Sequence, residues 1–171
     1  MKTRIIVFVG GLFVLGLVAW IFIALLSSGN NGSIQNLTAL AQEQAEIARI
    51  SKLPSQNAGT ETTQDLASTI RLSLASDEHT FITYLGRLNA APSSDTLARG
   101  MNQQTDATLQ AAQDNGTYDQ TYISIAEQKL ATYSADVKRA FNATSNPAER
   151  QLLNDSYANA QLLLALSQKT T

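Results

Sequence analysis

The stretch that most constrains this chain is Ile5–Leu26, IIVFVGGLFVLGLVAWIFIALL, which holds no charge, no proline and no strongly polar side chain. As a helix it would run about 33 Å, against a hydrocarbon core of about 30 Å. Lipid offers backbone groups no water, so a segment crossing it in this way is helical. Ile5–Leu26 is therefore predicted to be a transmembrane anchor, with the lipid bilayer as its partner through residues 5–26. Residues 1–4, Met1-Lys2-Thr3-Arg4, form a short basic head, and the next basic residue after the anchor is Arg49. That asymmetry predicts a cytoplasmic N-terminus and a C-terminal domain outside, periplasmic or extracellular. A cleaved signal peptide is the rival reading. Against it, the apolar run exceeds the roughly 7–15 residues of a signal core, and cleavage after Ser28 would leave Leu26 where a small residue is needed. Attachment of lipid to the chain at this point needs a cysteine, and there is none.

The rest of the chain is polar enough for water. Setting aside Lys2 and Arg4 leaves ten basic and fourteen acidic residues, a net charge of −4. This balance argues against a nucleic-acid partner, which would need a basic face. Without cysteine there are no disulfides and no thiolate metal sites, a composition suited to an oxidising compartment. Residues 27–33, Ser27-Ser28-Gly29-Asn30-Asn31-Gly32-Ser33, read as a flexible linker. Residues 34–168 read as one domain.

Within that domain Pro54, Pro92 and Pro147 all fall between apolar-periodic segments. Proline inside a helix costs about 3 kcal/mol, so the prolines mark boundaries. The segments are about 33–53, 60–90, 94–114, 118–143 and 147–168. Ser76-Asp77-Glu78 interrupts the second stripe and suggests a kink or a break. Ser94 suits the cap of the third helix, whose stripe is thin, and Gly116 suits the left-handed position after it. The fourth stripe (Tyr122, Ile123, Ala126, Leu130, Tyr133, Val137, Phe141) is the cleanest, so the fourth helix is expected at the centre of the bundle, with Phe141 in the core and Lys138 off it. Asn146-Pro147-Ala148-Glu149 is a helix start, with Asn146 as cap, Pro147 at the first position and Glu149 reaching back. No alternating β-branched run competes. The predicted fold is all-α: a single N-terminal transmembrane helix followed by an up-down, coiled-coil-like bundle of four or five helices.

Signals for chemistry are sparse. His79 is the single histidine, and Ser76 stands where a Glu-x-x-His metal motif needs glutamate. Zinc needs several His or Cys ligands. There is no G-x-S-x-G nucleophile elbow and no Walker or Rossmann loop. The carboxylates are single apart from Asp77-Glu78, and helix neighbours diverge by about 100°. The reading is no enzyme, no cofactor and no metal, with a hydrolase lacking any motif as the remote alternative. N-glycosylation patterns begin at Asn31, Asn36, Asn115 and Asn142, as chance allows in a chain rich in Asn and Thr. Tyr122 and Tyr133 read first as packed side chains with hydrogen-bonded tips, and alternatively as part of a contact face or pocket. Leu162–Leu166 is apolar nearly all round, a buried helix end or a partner-facing patch. The candidate interaction surface is thus Tyr122, Tyr133, Leu162 and Leu166.

In layout the chain resembles bacterial single-pass proteins with extracytoplasmic helical bundles, such as chemoreceptor sensor domains and the LemA-like proteins. A chemoreceptor is expected to continue into a second span and a cytoplasmic coiled coil, which the sequence to Thr171 does not contain. Type IV pilins, which also begin with an apolar helix, carry an early glutamate there, and Ile5–Leu26 has no acid. The expected function is a membrane-anchored extracytoplasmic bundle acting on a protein partner or by self-association, as a scaffold or accessory subunit of an envelope. The alternative is a small-ligand-binding, sensor-like bundle.

Overall fold

The structure, a computed structural model, describes the backbone of residues 29–170 and the side chains of residues 32–170. The predicted anchor, Ile5–Leu26, and the basic head, 1–4, lie outside the described residues. Among the described residues no helix is long and apolar enough to cross a membrane, and none lies in a strand. The chain divides at Asn36/Leu37 into two units. The first, Met1–Asn36, is described only from Gly29, where it is helical. The second holds the bundle.

Seven helices are described: α1 Gly29–Ile50, α2 Pro54–Asn57, α3 Glu61–Arg87, α4 Ser94–Ala98, α5 Gln103–Asp114, α6 Tyr118–Ala143 and α7 Pro147–Thr170. The sequence punctuation accounts for their ends. Thr60, Ser93 and Asn102 accept from the amides of Thr63, Thr96 and Gln104, which start α3, α4 and α5. Asn146 Oδ1 accepts from the amides of Ala148 and Glu149, with Pro147 at the first helical position of α7. The Asn146 amide, which Glu149 was expected to bond, donates to Thr144 Oγ1. Gly116 sits at φ 68° after α5, and the Thr117 amide closes the cap on the Ala112 carbonyl. α6 has the bounds expected of the fourth segment.

Several expectations are corrected. Gly29–Ser33, read as linker, is part of α1. The predicted third helix is two, because Arg99–Asn102 turns between α4 and α5, and the cap of α4 is Ser93 rather than Ser94. The turn lies hard against α1: a Cβ on Gly100 would come 2.8 Å from Gln42 Cβ and 3.0 Å from its carbonyl oxygen. A larger residue at position 100 has no room, which is why the chain breaks there on a glycine. The Ser76-Asp77-Glu78 stretch does not break α3. Asp77 turns into the bundle and accepts from Asn159 Nδ2 at 2.8 Å, so a polar residue occupies the stripe without ending the helix.

Interhelical hydrogen bonds fix the directions. Ser73 and Asp77 of α3 meet Asn159 and Ser156 of α7 in reverse order, so α3 and α7 are antiparallel. Gln44 of α1 and Ser51 just beyond it meet Tyr133 and Tyr122 of α6, again antiparallel. Gln42 and Arg49 meet Thr96 and Asp106, so α4 and α5 run along α1 in its own direction. The α6–α7 hairpin is clasped by Arg150, which stacks over the Phe141 ring at 3.8 Å and donates to the carbonyls of Phe141 and Thr144.

α1 is enclosed from Asn36 onward, and α6, the fourth predicted helix, packs on α7, α5 and α2. No residue from Asn36 to Ser51 is exposed, whereas α6 exposes a residue at every third or fourth position. Leu37, Leu40, Ala41, Ile47 and Ile50 are buried along α1, facing a core completed by Ile70, Leu74, Phe81, Leu85, Leu130, Val137 and Leu153. Phe141, expected in the core, is half-buried beneath Arg150, and Phe81 is the fully buried phenylalanine. Phe81→Ala should therefore cost about 3–5 kcal/mol, with Phe141→Ala costing less than half as much and exposed Lys138→Ala under about 0.5 kcal/mol. Denaturant unfolding of the three variants checks this; equal losses at Phe81 and Phe141 would contradict it.

Candidate functional site

The chemically distinctive part of the bundle is a set of polar side chains on α1, each bonded to a different neighbour. A helix enclosed on most sides must bury whatever polar groups it carries, and each unpaired one costs about 1–3 kcal/mol. Gln44 is fully buried and donates from Nε2 to the Tyr133 hydroxyl at 2.5 Å. Tyr133 OH pairs with Ser156 Oγ, which in turn reaches Asp77 Oδ2 at 3.5 Å. Asp77 accepts from Asn159, and Ser73 donates to Asn159 Oδ1. One line of bonds thus joins α1, α6, α7 and α3. Burial raises the ionisation of Tyr133 well above the ordinary tyrosine range. Burial likewise raises Asp77, while its bonds from Asn159 and Ser156 act the other way.

A second group lies one turn along α1. Glu46, 4% exposed, holds Arg49 through two contacts of 2.7 and 3.2 Å, faces Lys129 Nζ at 3.6 Å and accepts from the Asn102 amide at the turn into α5. Arg49 also reaches Asp106 at 2.8 Å. The Glu46 bond is the largest of the influences that raise the Arg49 guanidinium above its ordinary range. At the end of α1, Ser51 Oγ accepts from Tyr122 OH at 2.8 Å.

The third group is acidic. Glu43 of α1 and Asp136 of α6 are hydrogen-bonded carboxyl to carboxyl, with Arg139 Nη1 on Asp136 Oδ1 at 2.8 Å. Asp136 is 5% exposed, and Glu43 Oε1 is sealed from solvent with no hydrogen-bond partner. Burial first, then the charge of Asp136, pushes the Glu43 carboxyl well up; burial also raises Asp136, against the pull of Arg139.

Two adjoining open depressions, of about 450 and 250 Å³, lie where α2, α5 and the start of α6 meet and share Asn57, Gln113 and Tyr118. The Gly59 amide donates to Asp119 Oδ1 across the larger one. His79 is exposed on α3, and among the described residues no group of three or more His, Cys, Asp or Glu side chains is placed to hold a metal.

Of the candidate surface residues, Tyr122 and Tyr133 are fully buried with their hydroxyls bonded inside. Leu162 is 59% exposed and Leu166 half-buried, so these two reach the surface of α7. Sequence reading missed Glu43, Gln44 and Glu46, because consecutive polar residues on an Ala-rich helix look like a solvated face. The available signal was that apolar residues stand on every side of them, at Leu40, Ala41, Ala45, Ile47 and Ala48. Comparison with protein-family models, curated proteins and solved structures finds no match.

Tyr133→Phe removes the acceptor of Gln44 and a partner of Ser156, and should cost about 1–3 kcal/mol, more than Tyr122→Phe, which frees only Ser51. Chemical denaturation of both variants, with a double-mutant cycle against Ser156→Ala, measures this; a neutral Tyr133→Phe would show the line of bonds to be incidental.

Proposed function

We propose that this chain is a single-pass membrane protein whose helical bundle, held outside the membrane by Ile5–Leu26, acts by binding a protein partner. The basic head Lys2 and Arg4 supports that orientation. The observation that carries the binding reading is the contrast between inside and outside. Most of the buried polar groups bond helix to helix, while leucines lie open on neighbouring helices. Leu72 of α3 is 60% exposed and Leu162 of α7 59%. The Ser73–Asn159 hydrogen bond puts them within about a turn of the same level of the α3–α7 pair. Exposed large apolar side chains are frequent material of protein contacts. A small-ligand site would favour a closed apolar cavity; the depressions beside Tyr118 are open and lined by Asn57, Gln113, Asp119 and Gln120.

Photoreactive residues placed singly at Leu72 and Leu162 of the full chain in its native membrane should give a crosslinked band heavier than the 18.4 kDa chain, and the same residue at exposed Lys138 should not. Monomer alone from both leucine positions would overturn the reading. Protease added from outside should digest the bundle and spare a short N-terminal fragment; full protection would reverse the orientation.

A further inference from the structure

We propose that Glu43 and Asp136 form a proton-dependent clasp between α1 and α6, closed in mildly acidic surroundings and loosened as the pH rises. The geometry comes from the register of the two helices. Gln44–Tyr133 and Glu46–Lys129 bonds lie along the same antiparallel pair, so Glu43 is brought against Asp136 at a buried level of the bundle. Two ionised carboxylates are acceptors only, and a hydrogen bond between them needs one proton. Asp136 has Arg139 at 2.8 Å to support its charge, whereas Glu43 has no such partner on its sealed Oε1. The shared proton therefore resides on Glu43, which donates to Asp136.

The charged groups around the pair leave it in this state. On α6, Lys129 and Arg139 favour ionisation of Glu43, and they are outweighed by burial and by Asp136 itself. Lys129 also serves Glu46, one turn along α1, and Glu46 is further held by Arg49. Tyr133 beside the pair is neutral and bonded to Gln44 and Ser156. From α7 comes the neutral Gln161 amide, donating to Ser134, and from α4 the Thr96 carbonyl, accepting from Gln42. Asp77 of α3 reaches the same core through Ser156 and Tyr133.

The pH dependence follows from linkage. An unfolded Glu43 keeps its proton only below its ordinary value of 4.5, and the folded chain keeps it to higher pH. Between the two values the folded state binds the extra proton, so stability is fully present below the lower value and falls as pH rises through the higher one. The proton passes to solvent, leaving two carboxylates in one buried site, which repel. Because α1 is enclosed by its neighbours, loosening this pair loosens the packing of α1 on α6.

The test uses the full chain in detergent micelles. Thermal unfolding by circular dichroism should give a Tm lower at about pH 8 than at about pH 5 by at least about 3 °C for a chain of this size. Glu43→Gln supplies an amide donor to Asp136 without a titrating proton, and should raise the Tm at pH 8 and remove more than half of the difference. Asp77 and Glu78, also raised by burial, account for the remainder. A wild-type Tm independent of pH, or a full pH dependence kept in Glu43→Gln, would overturn the proposal. Should Glu43→Gln fail to fold, infrared difference spectra of the chain with isotope-labelled glutamate decide. A glutamic acid that keeps its proton above the ordinary glutamate range and loses it at lower pH in Asp136→Asn supports the clasp; its absence from the wild type refutes it.

Discussion

The bundle depends on the burial of polar side chains along α1. α1 has no exposed residue between Asn36 and Ser51, yet it carries Gln42, Glu43, Gln44, Glu46, Arg49 and Ser51 in that interval. Each must find its hydrogen bonds on another helix or cost the full loss of water. The solutions are specific: Thr96, Asp136, Tyr133, the Asn102 amide, Asp106 and Tyr122. Apolar packing alone would tolerate α1 sliding by a turn against α6. The paired polar groups do not, because a slip would leave several buried donors and acceptors orphaned together. Such pairs add little net stability over a well-packed apolar core, but removing one partner is expensive. Register is what they contribute.

The same bonds organise the outer helices. Tyr133 passes the contact from α1 to Ser156 of α7, and Ser156 with Asn159 passes it to Asp77 and Ser73 of α3. Arg150 closes the other side of α7 onto the end of α6. The interior is therefore committed to holding the helices in place. What is left to meet another molecule is the outer surface, where Leu72, Leu88, Met101 and Leu162 are the exposed large apolar side chains among the described residues.

The helix ends were legible in the sequence where a cap has a local mechanism. Thr117–Thr144 brackets α6, and Asn146-Pro147 opens α7, because Gly, Asn and Pro act on the backbone next to them whatever the fold. The break at Arg99–Asn102 was not legible, since its cause is the close approach of Gly100 to Gln42, far away in the chain. The enclosure of α1 was not legible for the same kind of reason. The clean stripe of α6 reads as a core helix, and it does bury Leu130, Tyr133 and Val137. α1 is enclosed with polar groups among its buried residues, Gln44 and Glu46, which hydrophobic periodicity scores as surface. Phe141 fits the stripe of α6 but comes after its last buried residue, Ala140, where the hairpin turns and Arg150 covers it. Among the candidate contact residues, the tyrosines resolved into interior hydrogen bonds that only the partners on α1 and α7 could reveal.

That enclosed α1 is an integral part of the bundle is tested most directly by native-state amide hydrogen exchange on the full chain. Residues of α1 from Leu37 to Ile50 should exchange only through the largest opening, as slowly as the slowest amides of α6 and more slowly than those of α3 and α5. Exchange of α1 through a smaller, separate opening, with α6 and α7 still protected, would contradict the account and leave α1 as an added helix on a bundle that holds without it.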